Sequence, residues 1–205
     1  MDGQYPTVTR RRGVNLRRGT YSNYGEKLDW TYYDTWAIAT AGTDYSFFAN
    51  PIGATQSAAQ KTISDTNMVA AAQIPSGQRL IVKAIKVCFI SHAVKATADI
   101  DTLNEFLRAA VIRFFITGKD SLYTKTLQEI FGASLLMHVV PTVGGNNEII
   151  MHMNKGQGID VLNRRIVLAE QTNFEVRLSY PAGIPAGLNG DRLWIGLAGR
   201  LMRRS

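Results

Sequence analysis

The stretch TNFEVRLSY, residues 172–180, alternates without a slip. Phe174, Val176, Leu178 and Tyr180 fall on one phase, and Asn173, Glu175, Arg177 and Ser179 on the other. A period of two is the spacing of a β-strand whose two faces meet different surroundings, so this segment belongs in a sheet with one face against an apolar core. A chain made of such segments has to bury its sheets against each other or close them on themselves. The period returns in DWTYYDTWAIAT (29–40), where Trp30, Tyr32, Trp36 and Ile38 share a face. RLIVKAIKVCFI (79–90) and DRLWIGLAGRLM (191–202) are apolar on both phases. That is the pattern of strands covered from both sides, in the middle of a sandwich or under a neighbouring subunit. AVIRFFIT (110–117), RRIVLAE (164–170), DYSFF (44–48), SLLMHVV (134–140) and EIIMHM (148–153) are further strand segments. The total is about eight, the number expected of a two-sheet sandwich or jelly roll.

Two short helices are expected between strands. Thr102-Leu-Asn-Glu105 has the pattern of a capping box, and Leu103, Phe106, Leu107 and Ala110 follow at helical spacing. After Asp120 or Ser121 as a cap, Tyr123, Leu127, Ile130 and Phe131 form a second apolar stripe that Gly132 stops. The remaining connections, such as ANPIGATQSAAQ (49–60), PTVGGNN (141–147) and PAGIPAGLNGD (181–191), are rich in turn-forming residues. No internal repeat and no low-complexity linker divides the chain, and 205 residues suffice for one sizeable core.

Charge is distributed unevenly. The stretch TRRRGVNLRRG (9–19) holds Arg10, Arg11, Arg12, Arg17 and Arg18, so residues 1–20 carry five arginines against one acid, Asp2. Residues 200–205 add Arg200, Arg203 and Arg204 against none. The net charge of +7 therefore sits in the two ends, and the body between them sums to zero. The sequence reads as an extended basic arm over residues 1–28, followed by a sandwich domain over 29–205 with a short basic tail. Arginines spaced by Gly, Asn and Thr make a flexible arm rather than an amphipathic helix, and their planar forks suit phosphate and carboxylate oxygens. Nucleic acid, acidic groups on a neighbouring subunit, or solvent alone are the readings this pattern leaves open. A body without basic excess argues against a basic-patch binder, which would need cations to fix its register on a phosphate backbone.

Signatures of catalysis are missing. His92, His138 and His152 are scattered, with no zinc-binding spacing, and there is no nucleophile elbow, P-loop or strand-linked dinucleotide fingerprint. Asp99 and Asp101 precede a helix, where its dipole favours anions. No catalytic residue, metal, cofactor or small-molecule substrate is expected, although residues dispersed in sequence can still converge in a fold. Cys88, the single cysteine, lies in an apolar run and reads as a small buried hydrophobe. No apolar run is long enough to span a membrane, and the N-terminal arginines are not followed by the apolar segment of a secretory signal.

Aromatic residues crowd the stretch after the arm. Trp30, Tyr32, Tyr33, Trp36, Tyr45, Phe47 and Phe48 are dense enough there to suggest a subunit interface, with plain core packing as the even alternative. None of them is assigned to base stacking on sequence grounds.

FFANPIG (47–53), KTISDTNM (61–68), IPSGQRLIVKAIKV (74–87), EQTNFEVRLSYP (170–181) and GDRLWIGLAGRLMRR (190–204), together with a basic N-terminal arm ahead of a neutral all-β body, resemble the single jelly-roll coat proteins of small tailless icosahedral viruses, bacteriophages in particular. The resemblance implies an all-β capsid subunit of the virion, made in the host cytoplasm. Its partners would be copies of itself and other virion proteins. Arg10, Arg11, Arg12, Arg17 and Arg18, joined by Arg200, Arg203 and Arg204, would touch packaged nucleic acid, an internal membrane or the adjacent subunit. At 205 residues the chain is about half the length a double jelly roll needs. The alternatives are a nucleic-acid-binding β-sandwich module and, further off, a lectin-like or dispersed-site sandwich enzyme.

Overall fold

Strands form where the apolar phases run. The computed structural model describes residues 25–39, 42–56, 59–90, 97–119, 121–131, 136–141, 147–152 and 158–204. In chain order these give β1 (Glu26–Ala37), β2 (Asp44–Phe47), β3 (Thr55–Gln56), β4 (Ala59–Gln60), β5 (Gln78–Ile90), α1 (Thr97–Ala109), β6 (Val111–Ile116) and β7 (Tyr123–Thr126). There follow α2 (Leu127–Phe131), β8 (Leu136–Pro141), β9 (Asn147–His152), β10 (Ile159–Leu168), β11 (Phe174–Ser179) and β12 (Arg192–Arg203). The expected all-β architecture is borne out.

Eight strands make two antiparallel four-stranded sheets, ordered β1-β12-β5-β10 and β2-β11-β6-β7. β3 with β4 and β8 with β9 are two-stranded ribbons inserted between them. Counting only the eight sheet strands, the first pairs with the last, the second with the seventh, the third with the sixth and the fourth with the fifth. The path is therefore one long hairpin folded at the β6–β7 turn. It is then wrapped so that β12 also pairs β5 and β11 also pairs β6.

The core lies between the sheets. β11 buries Phe174, Val176, Leu178 and, just beyond its end, Tyr180, the phase its alternation requires. β5 contributes Leu80, Val82, Ile85, Val87 and Phe89, and β12 contributes Leu193, Ile195, Leu197 and Leu201. On the inner face of the second sheet Phe174 is stacked on Phe114 at 6.0 Å and tilted against Phe48 at 5.5 Å. Offset and edge contacts of this kind add to the burial of the rings themselves.

Three expectations need correction. First, α1 starts at Thr97, so Thr102 lies inside the helix and caps nothing. The stripe itself is right: Leu103, Phe106, Leu107 and Ala110 are buried, and Phe106 meets Tyr180 edge-on at 5.4 Å. Second, Tyr123 belongs to a strand. Tyr123–Thr126 ladders against β6, and α2 begins only at Leu127. Its cap is a reciprocal box: the Glu129 N–H donates to Thr126 Oγ1 at 3.2 Å, and the Thr126 N–H donates to the Glu129 carboxylate at 2.7 Å. Third, the sandwich begins at Glu26 rather than residue 29, because Glu26, Lys27 and Leu28 ladder with Arg203, Met202 and Leu201.

Candidate functional site

The arm arginines Arg10, Arg11, Arg12, Arg17 and Arg18 lie outside the described residues. The structure does fix where the arm joins the body. Glu26, the first residue of β1, is the ladder partner of Arg203, and Asp29 is that of Arg200. The arm's root and the three C-terminal arginines thus occupy one end of one sheet. Those arginines are not a tail. Arg200 and Arg203 are residues of β12, and the Arg204 N–H donates to the Gly77 carbonyl at 2.9 Å. Arg203 lies 3.7 Å from the Glu26 carboxylate and 5.9 Å over the Trp30 ring, and Arg204 donates to Glu170 at 2.6 Å. Arg200 is exposed. The reason is local: apolar Leu197, Leu201 and Met202 carry the ladder to the last residues, and the arginines follow it.

The outer face of that same sheet holds a depression of about 670 Å³. Its shape comes from β12, where Gly196 and Ala198 put almost no side chain on the outer phase. A Cβ on Gly196 would lie 2.4 Å from the Trp194 ring, so the indole occupies the space the glycine leaves. Along one wall Tyr33 stacks on Trp194 at 6.0 Å and 24°. The Tyr33 hydroxyl donates to the Ile63 carbonyl, which holds the ring upright. Along the opposite wall stand Lys83 and Lys86 of β5, and Asp29 is the carboxylate among the lining residues, 3.8 Å from Lys83.

Lys83 stands at a double irregularity. β12 steps from Ala84 to Val82 between Ala198 and Gly199, and β10 makes the same step between Val161 and Ile166. Lys83 is therefore an extra residue opposite β12, while on the other side the excess lies on β10, whose residues 162–165 stand against it; such bulges re-aim side chains and deepen the local twist. At this level Arg200 of β12 and Arg164 and Arg165 of the β10 insertion are all exposed. The body is neutral in sum, yet its charge is segregated. A basic belt of Arg200, Lys83, Arg164 and Arg165 lies at this level of the sheet, with Asp29 against Lys83, and the argument from net charge missed it.

The crowded aromatics divide. Tyr32, Tyr45, Phe47 and Phe48 are core residues, buried between the two sheets of the same chain, so plain core packing and not an interface accounts for Tyr32, Phe47 and Phe48. Trp36 is partly buried against Tyr45 and Phe47. Trp30, 37% exposed, and Tyr33 remain at the surface and line the depression. Cys88, expected in the core, is half-buried on the outer phase opposite Trp194, and partial burial raises its thiol above the ordinary value.

Inside the sandwich, Asp34 and Lys61 form an ion pair at 2.5 Å with both side chains buried. The second Asp34 oxygen accepts the Phe48 N–H at 2.6 Å. Phe48 has a φ of 68°, a left-handed conformation that a bulky residue adopts only under constraint. Asp34 supplies that constraint. The sequence carried a signal for it, an acid on the phase of Tyr32, Trp36 and Ile38. The partner Lys61 carried none.

His138 and His152 face Ile150 and Leu136 on the β8–β9 ribbon, and His92 lies outside the described residues. Among the described residues no group of three or more His, Cys, Asp or Glu is placed to hold a metal ion, and no helix is long and apolar enough to cross a membrane. No protein-family model matches the chain, and no curated protein matches it.

Proposed function

We propose that this protein is a single jelly-roll coat subunit that assembles with copies of itself into the icosahedral shell of a virion. The observation that carries the reading is the strand order. The nesting of first with last, second with seventh, third with sixth and fourth with fifth, wrapped into two four-stranded sheets, supports a jelly-roll path, the two-Greek-key arrangement that recurs in viral capsid domains. Fold alone does not give function, and two further features support the reading.

The first is how the sheet edges are treated. β1 is an edge strand, and the segment after β4 covers it. Asn67 Nδ2 donates to the Thr31 carbonyl and its Oδ1 accepts the Tyr33 N–H, each at 2.8 Å, while the Thr66 hydroxyl donates to the Tyr33 carbonyl at 3.0 Å. The other edge, β10, shows Val161 at 72% and Ile159 at 41% exposure. A monomer usually blunts such an edge with charge; apolar residues on it suit a neighbouring subunit. The second feature is the arm, whose root shares one sheet end with Arg200, Arg203 and Arg204. In a shell this end would lie toward the packaged genome, an internal membrane or the adjacent subunit, with the arginines as the charged contact.

The test is light scattering from the purified full-length protein at low and high salt, with nucleic-acid content read from the absorbance ratio. Large oligomers or shells are expected, weakening as salt screens the arginine contacts. A chain that stays monomeric under every assembly condition removes the shell reading. If that monomer carries nucleic acid released by salt, a binding module takes its place.

A further inference from the structure

We infer that the depression on the outer face of the β1-β12-β5-β10 sheet is a docking groove for single-stranded nucleic acid, with bases against Tyr33 and Trp194 and phosphates along Lys83 and Lys86. The inference deepens the shell reading by naming which face meets the genome. It rests on that reading only for its setting, since the groove belongs to each subunit.

The argument starts from the asymmetry of the walls. Tyr33 of β1 stands two strand spacings from the lysines of β5, about 10 Å, and Trp194 of β12 one spacing, about 5 Å. A nucleotide covers such a span from its phosphate to the outer edge of its base. The floor is Ala84, Ala198 and Gly199, and the Lys83 ammonium reaches across it to within 3.8 Å of Asp29, a contact that an arriving phosphate would displace. Stacking platforms beside a cationic track are the means by which single strands are bound without sequence preference, because every base has a π-face and every nucleotide a phosphate. A duplex hides its base faces and cannot use the aromatic wall.

Charge complementarity chooses this occupant over an apolar or acidic-residue-seeking partner. The belt of Arg200, Lys83, Arg164 and Arg165 runs along the groove's level, and Asp29 is the carboxylate among the residues lining it. The depression on the opposite sheet, about 590 Å³, has the same balance of charge, Lys119 and Arg177 against Glu175, but Arg177 already lies 5.7 Å over its Phe115 ring. There Glu175 is bound to Arg177 through two hydrogen bonds of 3.1 Å, a self-neutralised pair. The groove is also continuous with the arm's root through Trp30 and Arg203, so a strand held by the arm would be delivered onto this face.

The experiment must separate the groove from the arm. It uses the full chain with Arg10, Arg11, Arg12, Arg17 and Arg18 changed to Ser, titrated with oligothymidylate and oligouridylate below the onset of scattering, and reads tryptophan fluorescence and anisotropy. Binding with quenched tryptophan emission is expected. In that background Trp194→Ala should weaken binding about fivefold or more, the loss of one stacked base. The half-buried pair changed as Lys83→Gln and Lys86→Gln should reduce the slope of log affinity against log salt by about 1.4, from two lost phosphate contacts on a single strand. Trp194→Phe, which keeps a stacking ring, should recover part of the affinity, with thermal melts confirming that each variant is folded. The inference is overturned if the arm variant no longer binds either oligonucleotide, if Trp194→Ala binds as tightly as its parent, or if duplex DNA binds equally well without quenching. Scattering from the parent protein reads the shell separately. Particles without groove binding remove the groove alone, and quenching in a subunit that never assembles removes the shell alone.

Discussion

Asp34 shows how one residue can hold a loop that the rest of the sequence leaves undefined. Burial pushes its carboxyl above the ordinary value, and the Lys61 ammonium and the Phe48 N–H only partly pull it back. A carboxyl whose folded value is raised favours folding below its unfolded value, and that contribution is lost as pH rises through the folded one. Lys61, whose ammonium lies against Asp34, is the first of the groups that oppose this push by burial. Lys61→Met, which keeps the stem but removes the charge, should cost about 3–5 kcal/mol at pH 7 by stranding the carboxylate. The loss should shrink as pH falls into the carboxylate range, where Asp34 can protonate. Urea unfolding at pH 7 and pH 4 reads both effects, and a loss of equal size at the two pH values would mean that the charge is not what Lys61 supplies. The lysine also lies 5.5 Å from the Trp36 ring centre, so some of its cost is packing.

At the scale of elements, the same four-letter pattern occurs twice with opposite outcomes. Thr102-Leu-Asn-Glu105 lies inside α1, while Thr126-Leu-Gln-Glu129 forms a true capping box at the start of α2. The pattern is local, and what decided its use was the ladder that ends at Thr126, a contact with Val111 invisible in either four-residue string. Strand existence was legible for seven of the eight sheet strands, because alternation and burial report the same physical fact; β7 was not, since Tyr123 fits the helical stripe that continues into α2. Nor were the bulges. Gly199 marks one: a Cβ there would lie 1.9 Å from the Ile81 carbonyl oxygen, a backbone atom that cannot swing aside. Gly199→Ala should therefore cost about 1–3 kcal/mol by forcing the β5 and β12 backbones apart. It should also flatten the basic belt, so thermal unfolding is the first measurement. An unchanged midpoint would show that the bulge can relax.

At the scale of the whole molecule, two sheets and about eight strands could be counted from the sequence, but their partners could not, since partner choice depends on pairings far apart in the chain. The same limit applied to the groove. Tyr33 stands out in the sequence only as one aromatic among many, while Trp194, Lys83 and Lys86, spread over two further strands, read only as strand residues. Net charge was the misleading quantity, because it averages over faces that the fold separates.

The nested pairing also sets an order in time. The ladder between β6 and β7 closes the shortest loop, that between β5 and β10 a longer one, and that between β1 and β12 spans nearly the whole chain. Loop closure costs more entropy the farther apart its ends, and folds dominated by distant contacts form slowly. The chain should therefore zip from its middle outward, and pulse-labelled hydrogen exchange should find β6 and β7 amides protected before those of β1 and β12; simultaneous protection would argue for a single concerted step. On this schedule the strand that roots the arginine arm is the last to be seated. A half-folded subunit would carry its five arginines on an unanchored strand with no groove beside them, so only a finished subunit presents arm and face together.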